Sequence, residues 1–119
     1  MVIIVIKNDN NTRIIELKDI VLKFIKERNW ERYHRPKDIA VSIAIEVGEL
    51  LELFQWKTND EIDELLKDQK FKDSLKDEMA DIMIYLLSLA INTNVDIAEA
   101  VFDKMKRNEE RFPIEQFKE

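Results

Sequence analysis

The chain of 119 residues has no cysteine, one histidine, one glycine and two prolines. Without cysteine there is no disulfide framework and no thiol chemistry. A single histidine excludes His-rich zinc sites and argues against a di-iron bundle built on Glu-x-x-His pairs. So little glycine and proline leaves few turns. With 45% hydrophobic residues, this points to a helical protein. No segment is long and apolar enough to span a membrane, so no membrane partner is expected. The opening run Met1 to Ile6 lacks a basic flank and is too short for a signal peptide, which makes a cytoplasmic location the default expectation. An excess of positive charge is missing too. The formal net charge of −6 disfavours a nucleic-acid backbone as partner, without barring nucleotides that arrive with a metal. The length suits one domain with a modest core.

What the chain does have is acid, in an unusual setting. Glu46-Val47-Gly48-Glu49 lies between Ile39-Ala40-Val41-Ser42-Ile43-Ala44-Ile45 and Leu50-Leu51. Glu78-Met79-Ala80-Asp81 runs straight into Ile82-Met83-Ile84-Tyr85-Leu86-Leu87. A carboxylate among such residues is costly to bury unless something compensates it. Positions i and i+3 share a helix face, so Glu46 projects with Glu49 and Glu78 with Asp81. Glu52 rotates away and reads as a flank residue. One acid-x-x-acid pair is ordinarily a solvated face that pairs with Lys or Arg. Two pairs on two apolar helices suggest a shared cleft. Four carboxylates that close cannot all stay ionised without a cation. All-oxygen ligands suit Mg²⁺ or Mn²⁺. Gly48 sits mid-helix between two of the acids, where glycine costs about 1 kcal/mol relative to alanine. A close neighbouring helix or a close ligand would account for it.

The order of elements follows from periodicity and caps. Val2 to Ile6 is a β-branched run, a short strand or an ordered arm. Lys7 to Thr12 is a turn, which makes 1–12 an N-terminal arm. A first helix spans about Arg13 to Arg28, with Leu17, Ile20, Val21, Phe24 and Ile25 as its stripe. Asn29 to Arg35 has no period and carries Trp30, Tyr33 and His34. It reads as a binding loop, or as aromatics that merely cover the core. Pro36 starts a helix that runs to about Trp56. Thr58-Asn59-Asp60-Glu61 caps a short helix to about Lys67. Ser74-Leu75-Lys76-Asp77 resembles the start of the third long helix, which Asn92-Thr93-Asn94 ends. The fourth opens on Asp96 and stops near Pro113, which leaves 114–119 as a charged, loose tail. The expected fold is all-α, a four-helix bundle with an extra short helix. Two of these helices are apolar nearly all round, so a homodimer or homotetramer is expected. The last helix carries Lys104, Asn108 and Arg111 on one face, a row of donors suited to phosphate oxygens or simply a solvated surface. Tyr85 stands one turn after Asp81, on the face of the second acid pair.

Taken together these residues resemble the all-α nucleoside triphosphate pyrophosphohydrolases, the MazG-like group, and within it the dCTP pyrophosphatases. The likeness rests on the two acid pairs and on Glu27-Arg28-Asn29-Trp30-Glu31-Arg32-Tyr33-His34. It continues through Gly48-Glu49-Leu50-Leu51-Glu52-Leu53-Phe54-Gln55-Trp56-Lys57 and Asp81 to Leu86, then Lys104-Met105, Asn108 and Arg111-Phe112-Pro113. The span is about Leu17 to Pro113, within a domain read as 13–113. The resemblance implies that Glu46, Glu49, Glu78 and Asp81 hold Mg²⁺. It implies that Trp30, His34, Trp56 and Tyr85 line the nucleoside pocket or contact the nucleotide, and that Lys104 and Asn108 lie near the triphosphate. One departure bears on the base. Val21 occupies a position where the dCTP-specific animal enzymes have a histidine, so a strict cytosine preference does not carry over.

The chemistry expected is hydrolysis of a nucleoside triphosphate to the monophosphate and pyrophosphate, on pyrimidine deoxynucleotides such as dCTP. Glu49 or Glu46 is the candidate general base, and the residues do not choose between them. Lys104 and Arg111 would steady phosphate charge, and Trp30 or Trp56 would stack on the base. Two other readings stand beside this one. The first is a non-enzymatic helical module that binds a nucleotide or a partner helix. The second is the same fold acting on another pyrophosphate bond, such as that of phosphoribosyl-ATP.

Overall fold

A computed structural model describes residues 6–118. The arm or strand expected over Val2 to Ile6 lies outside the described residues, apart from Ile6. Among those described stand five α-helices and no strand: α1 (Ile14–Glu27), α2 (Pro36–Glu52), α3 (Asn59–Leu65), α4 (Gln69–Thr93) and α5 (Ile97–Arg111). Short 3-10 turns cover Glu31–Tyr33 and Ile114–Phe117. The second forms within the segment read as a loose tail. Its Phe117 ring lies 6.4 Å from that of Phe112.

Several starts follow local chemistry. Pro36 occupies the first turn of α2, where its missing N–H costs nothing. Thr58 and Glu61 form the reciprocal capping box at α3, with both bonds at 3.2 Å. The Asp96 carboxylate accepts from the Glu99 N–H at 2.9 Å and caps α5.

Two boundaries differ from expectation. Helix α4 begins at Gln69 rather than near Ser74. The Phe71 ring packs edge-on against Phe54, centroids 6.1 Å apart, and this anchor holds the extra turn in helix. Ser74 is then an exposed mid-helix residue, and its capping pattern is unused. Helix α2 ends at Glu52 rather than near Trp56. The N–H groups of Leu53 and Phe54 bond three residues back, at 3.1 and 2.9 Å, and the tightened turn swings Phe54 toward Phe71.

The core lies where α1 meets α4. Val21 and Ile25 pack on Leu87, with Leu17, Met83 and Ile91 around them. Helix α2 packs along α4 over the longest interface in the chain, and its Ile39 is fully buried. At the end of α4 the chain turns through about 100° into α5. Asn94 makes this corner in a left-handed conformation, φ 56° and ψ 39°. The N–H of Val95 returns to the Ala90 carbonyl at 2.9 Å. Lys18 reaches across from α1 and donates to the Val95 carbonyl at 2.9 Å. Beyond the corner, α5 carries Val101, Phe102 and Met105 exposed.

Gly48 has a plainer environment than expected. A Cβ built there meets nothing within 4 Å, so no helix among the described residues passes close. Its backbone is ordinary helix as well. Were the chain monomeric, Gly48→Ala would stabilise it by about 1 kcal/mol, read from urea denaturation. Destabilisation instead would show that a second copy sits on that face.

Candidate active site

Three of the four acids meet. Packing of α2 along α4 brings Glu46, Glu49 and Glu78 together, each offering a carboxylate oxygen within 4.8 Å of the others. Glu46 and Glu78 are half-buried and Glu49 is exposed. Asp81 stands beside this trio. Its charge acts on both Glu46 and Glu78, but its oxygens fall outside the tight cluster. Burial pushes the Glu46 carboxyl above its ordinary value, and the charge of Glu49 adds to the shift. The same two causes, in the same order, raise Glu78. One oxygen of each, Oε2, is buried without a hydrogen-bond partner. Among the described residues no lysine or arginine pairs with any of the four acids. Half-buried acids with orphaned oxygens and no basic partner form a donor set that a hard divalent cation fits.

A second feature adjoins the first. Helix α1 ends in a Schellman turn: Asn29 takes φ 53°, and the Trp30 N–H returns to the Ile25 carbonyl at 3.1 Å. The fold-back sets the Trp30 ring edge-on to Phe24, centroids 5.7 Å apart. His34 stacks on Trp30, at 6.4 Å and an interplanar angle of 8°. Its Nδ1 lies 2.9 Å from the Trp30 carbonyl. A carbonyl only accepts, so Nδ1 is the donor and Nε2 is left for another partner. Trp30, His34, Tyr85 and Val21 line an apolar pocket of about 260 Å³, together with Phe24 and Ile84. Ser88 lines it as well. Asp81, Tyr85 and Ser88 follow one another along a single face of α4, over roughly 10 Å of helix. Acid cluster and pocket thus lie along one stripe.

Other expected site residues stand apart. Trp56 lies in the turn after α2, 85 % exposed, and is not in the pocket wall. Lys104 and Arg111 are exposed on α5, and the Arg111 guanidinium lies 5.1 Å over Phe112. Asn108 is half-buried, with its amide 3.8 Å from the Met105 sulfur. Among the described residues no hydrogen bond or ion pair joins this row to the acids. The sequence reading missed Phe24, Ile84 and Ser88 as pocket residues. Ser88 had a signal, a lone hydroxyl inside Leu86-Leu87-Ser88-Leu89-Ala90. A wider hollow of about 640 Å³ lies between the 7–12 turn and α1. It is shallow, and its Lys7 already pairs with Glu16 at 3.4 Å.

An all-helical fold that clusters carboxylates between two helices, with an aromatic pocket alongside, defines a class of small helical proteins. The chain belongs to the MazG-like family, which matches its residues 41–119. It is 37% identical over 99 residues to dCTP pyrophosphatase 1 of Mus musculus, an alignment that covers 83% of this chain and 58% of that one. Against dCTP pyrophosphatase 1 of Homo sapiens the identity is 38% over 98 residues, with 82% and 58% covered. The chain thus spans 58% of the length of these curated relatives. A pyrophosphatase from Archaeoglobus fulgidus DSM 4304 has a similar structure. Its TM-score is 0.79 at 43% identity, with 90% of this chain and 99% of that one covered. No single helix among the described residues is long and apolar enough to cross a membrane.

Proposed function

We propose that this protein is a magnesium-dependent pyrophosphohydrolase of nucleoside triphosphates, with pyrimidine deoxynucleotides such as dCTP as substrates. The observation that carries the reading is the meeting of Glu46, Glu49 and Glu78 within 4.8 Å, next to an aromatic pocket. The dCTP pyrophosphatase relatives support the substrate class. Water adds across the α–β anhydride, and the products are the monophosphate and pyrophosphate. Glu46, Glu49, Glu78 and Asp81 would hold magnesium, or manganese in its place, which would offset charge between acids and phosphates and acidify a water. The protein's own groups do the rest. A carboxylate of Glu49 or Glu46 takes the proton from the water. Trp30 and Tyr85 hold the base flat in the pocket and fix the triphosphate over the acids, and positioning of this kind is most of what phosphoryl transfer needs. The catalytic unit is residues 13–113.

Lys104, Asn108 and Arg111 act from a second copy in this reading, and the active form is a homodimer or homotetramer. Surface area supports this. The lone chain exposes 10211 Å², against about 6,800 Å² for a compact monomer of 14.2 kDa. Its radius of gyration is 18.0 Å, against roughly 13.5 Å for a compact chain of this length. Val41, Ile45, Val47 and Leu51 on α2 and Phe102 on α5 are all exposed. Sedimentation at micromolar concentration tests this, and a monomer would overturn it.

The activity is tested by pyrophosphate release from a panel of deoxynucleoside triphosphates with magnesium. No turnover of any of them by folded protein removes the reading. A pH effect follows from the raised carboxyls. Folded protein holds protons at Glu46 and Glu78 more tightly than unfolded chain does. Their contribution to stability is fully present below the ordinary value of 4.5 and is lost as pH rises through the raised values. A cation must displace those protons, so its affinity rises with pH over the same window. Magnesium at neutral pH is expected to raise the melting midpoint, by about 2.7 kcal/mol of stability at a hundredfold excess over Kd. Chelation should reverse the gain, and the gain should shrink as pH falls toward 4.5. Melting that ignores magnesium at every pH would remove the metal site.

A further inference from the structure

The pocket beside the acids contains a group that the reaction does not use. Ser88 is 2 % exposed, and its hydroxyl has no hydrogen-bond partner among the described residues. A helical serine ordinarily satisfies its hydroxyl on the carbonyl four residues back, but Ser88 leaves the Ile84 carbonyl alone. The Asn92 side chain donates to the Ser88 carbonyl at 3.2 Å and does not reach the hydroxyl. Ser88 is among the residues that line the pocket, alongside Val21, Phe24, Ile25 and Ile84. All four are apolar, so the hydroxyl is the one polar side-chain atom in this part of the wall, and it is sealed from solvent. A buried hydroxyl is unfavourable until it is paired. The pocket is flanked by Trp30 and Tyr85, whose flat rings suit a flat heterocycle.

The geometry points to Ser88 as the residue that selects the nucleobase, through a hydrogen bond between its hydroxyl and the polar edge of the bound base. This rests on the nucleotide reading of the site and adds the determinant of base preference. A hydroxyl both donates and accepts, so it can satisfy an exocyclic amine or a ring carbonyl. It gives nothing to a base that turns an apolar edge toward it. Sites built to pair a polar substrate group discriminate more sharply than apolar walls do. Position along α4 agrees. Ser88 lies two turns beyond Asp81, so a nucleotide with its phosphates at the acids extends its base toward the hydroxyl.

The test is Ser88→Ala, with Ser88→Thr as the variant that keeps the hydroxyl. Binding of the four deoxynucleoside monophosphates is followed by tryptophan fluorescence in the presence of a chelator, so that neither metal nor turnover enters. The alanine variant is expected to bind the preferred base about tenfold more weakly. Its affinities for the four should converge, and threonine should restore the preference. The melting midpoint of Ser88→Ala should equal or exceed that of the parent, because an unpaired buried hydroxyl has gone. A merely structural serine would lower stability and weaken all four ligands alike, which overturns the proposal. Unchanged affinities in Ser88→Ala, or no binding of any monophosphate by the parent, overturn it as well. Base binding that depends on Ser88, in a protein that hydrolyses no triphosphate, would keep this inference and discard the pyrophosphohydrolase reading.

Discussion

Replacing Glu49 with glutamine is expected to lower pyrophosphate release by about a thousandfold, or ~4 kcal/mol of transition-state stabilisation. Glu49 is the hinge of the acid cluster. Its charge is the largest neighbouring influence on both Glu46 and Glu78, and it is the most exposed of the three. Glutamine keeps the shape, removes the charge, and cannot accept a proton from water. The fold should not suffer, since a like charge leaves a crowded site. The melting midpoint in chelator is expected to stay level or rise. Pyrophosphate release and the melting curve, measured on the same sample, separate lost chemistry from lost structure. Activity within tenfold of the parent would move the reaction centre elsewhere. The trio would then be an acid patch on a binding module.

Leu87→Ala carries the largest expected stability loss, about 3 kcal/mol. Leu87 is 2 % exposed and sits where Val21 and Ile25 of α1 meet α4. Truncation leaves a void between two helices that are held apart by their other side chains. A small domain has only about 5–15 kcal/mol in total, so the variant should unfold at visibly lower urea. Leu87 also precedes Ser88, and a slack α1–α4 contact should loosen the pocket. Nucleotide binding is expected to weaken along with stability. A loss below about 1 kcal/mol would mean that α1 does not pack on α4 as described.

The acid pairs were legible before any coordinates because helical spacing alone puts Glu46 with Glu49 and Glu78 with Asp81. Helix count and caps were legible for the same local reason: Pro36, Thr58 and Asp96 act on neighbours within one turn. The start of α4 was not legible. The Ser74 pattern imitates a cap, and the contact that overrides it, Phe71 on Phe54, is tertiary. Gly48 misled in the opposite sense. Its rarity suggested a close helix or a close ligand, and the helix is missing, since the described residues leave open space there. The corner that aims α5 had one local sign, Asn94 at the helix end, but nothing in Lys104, Asn108 or Arg111 told whether they would face the acids of their own chain. Ser88 drew no reading from the sequence, and its orphaned hydroxyl is a fact about neighbours.

The corner at Asn94 has a wider reach than its size suggests. One torsion angle on the side of the map that most residues avoid aims all fifteen residues of α5. Asparagine and glycine tolerate that angle, and a branched side chain does not. A valine or isoleucine at position 94 would leave every acid and every pocket residue untouched. It would swing the arm that carries the basic row, so the chemistry could fail through aim alone.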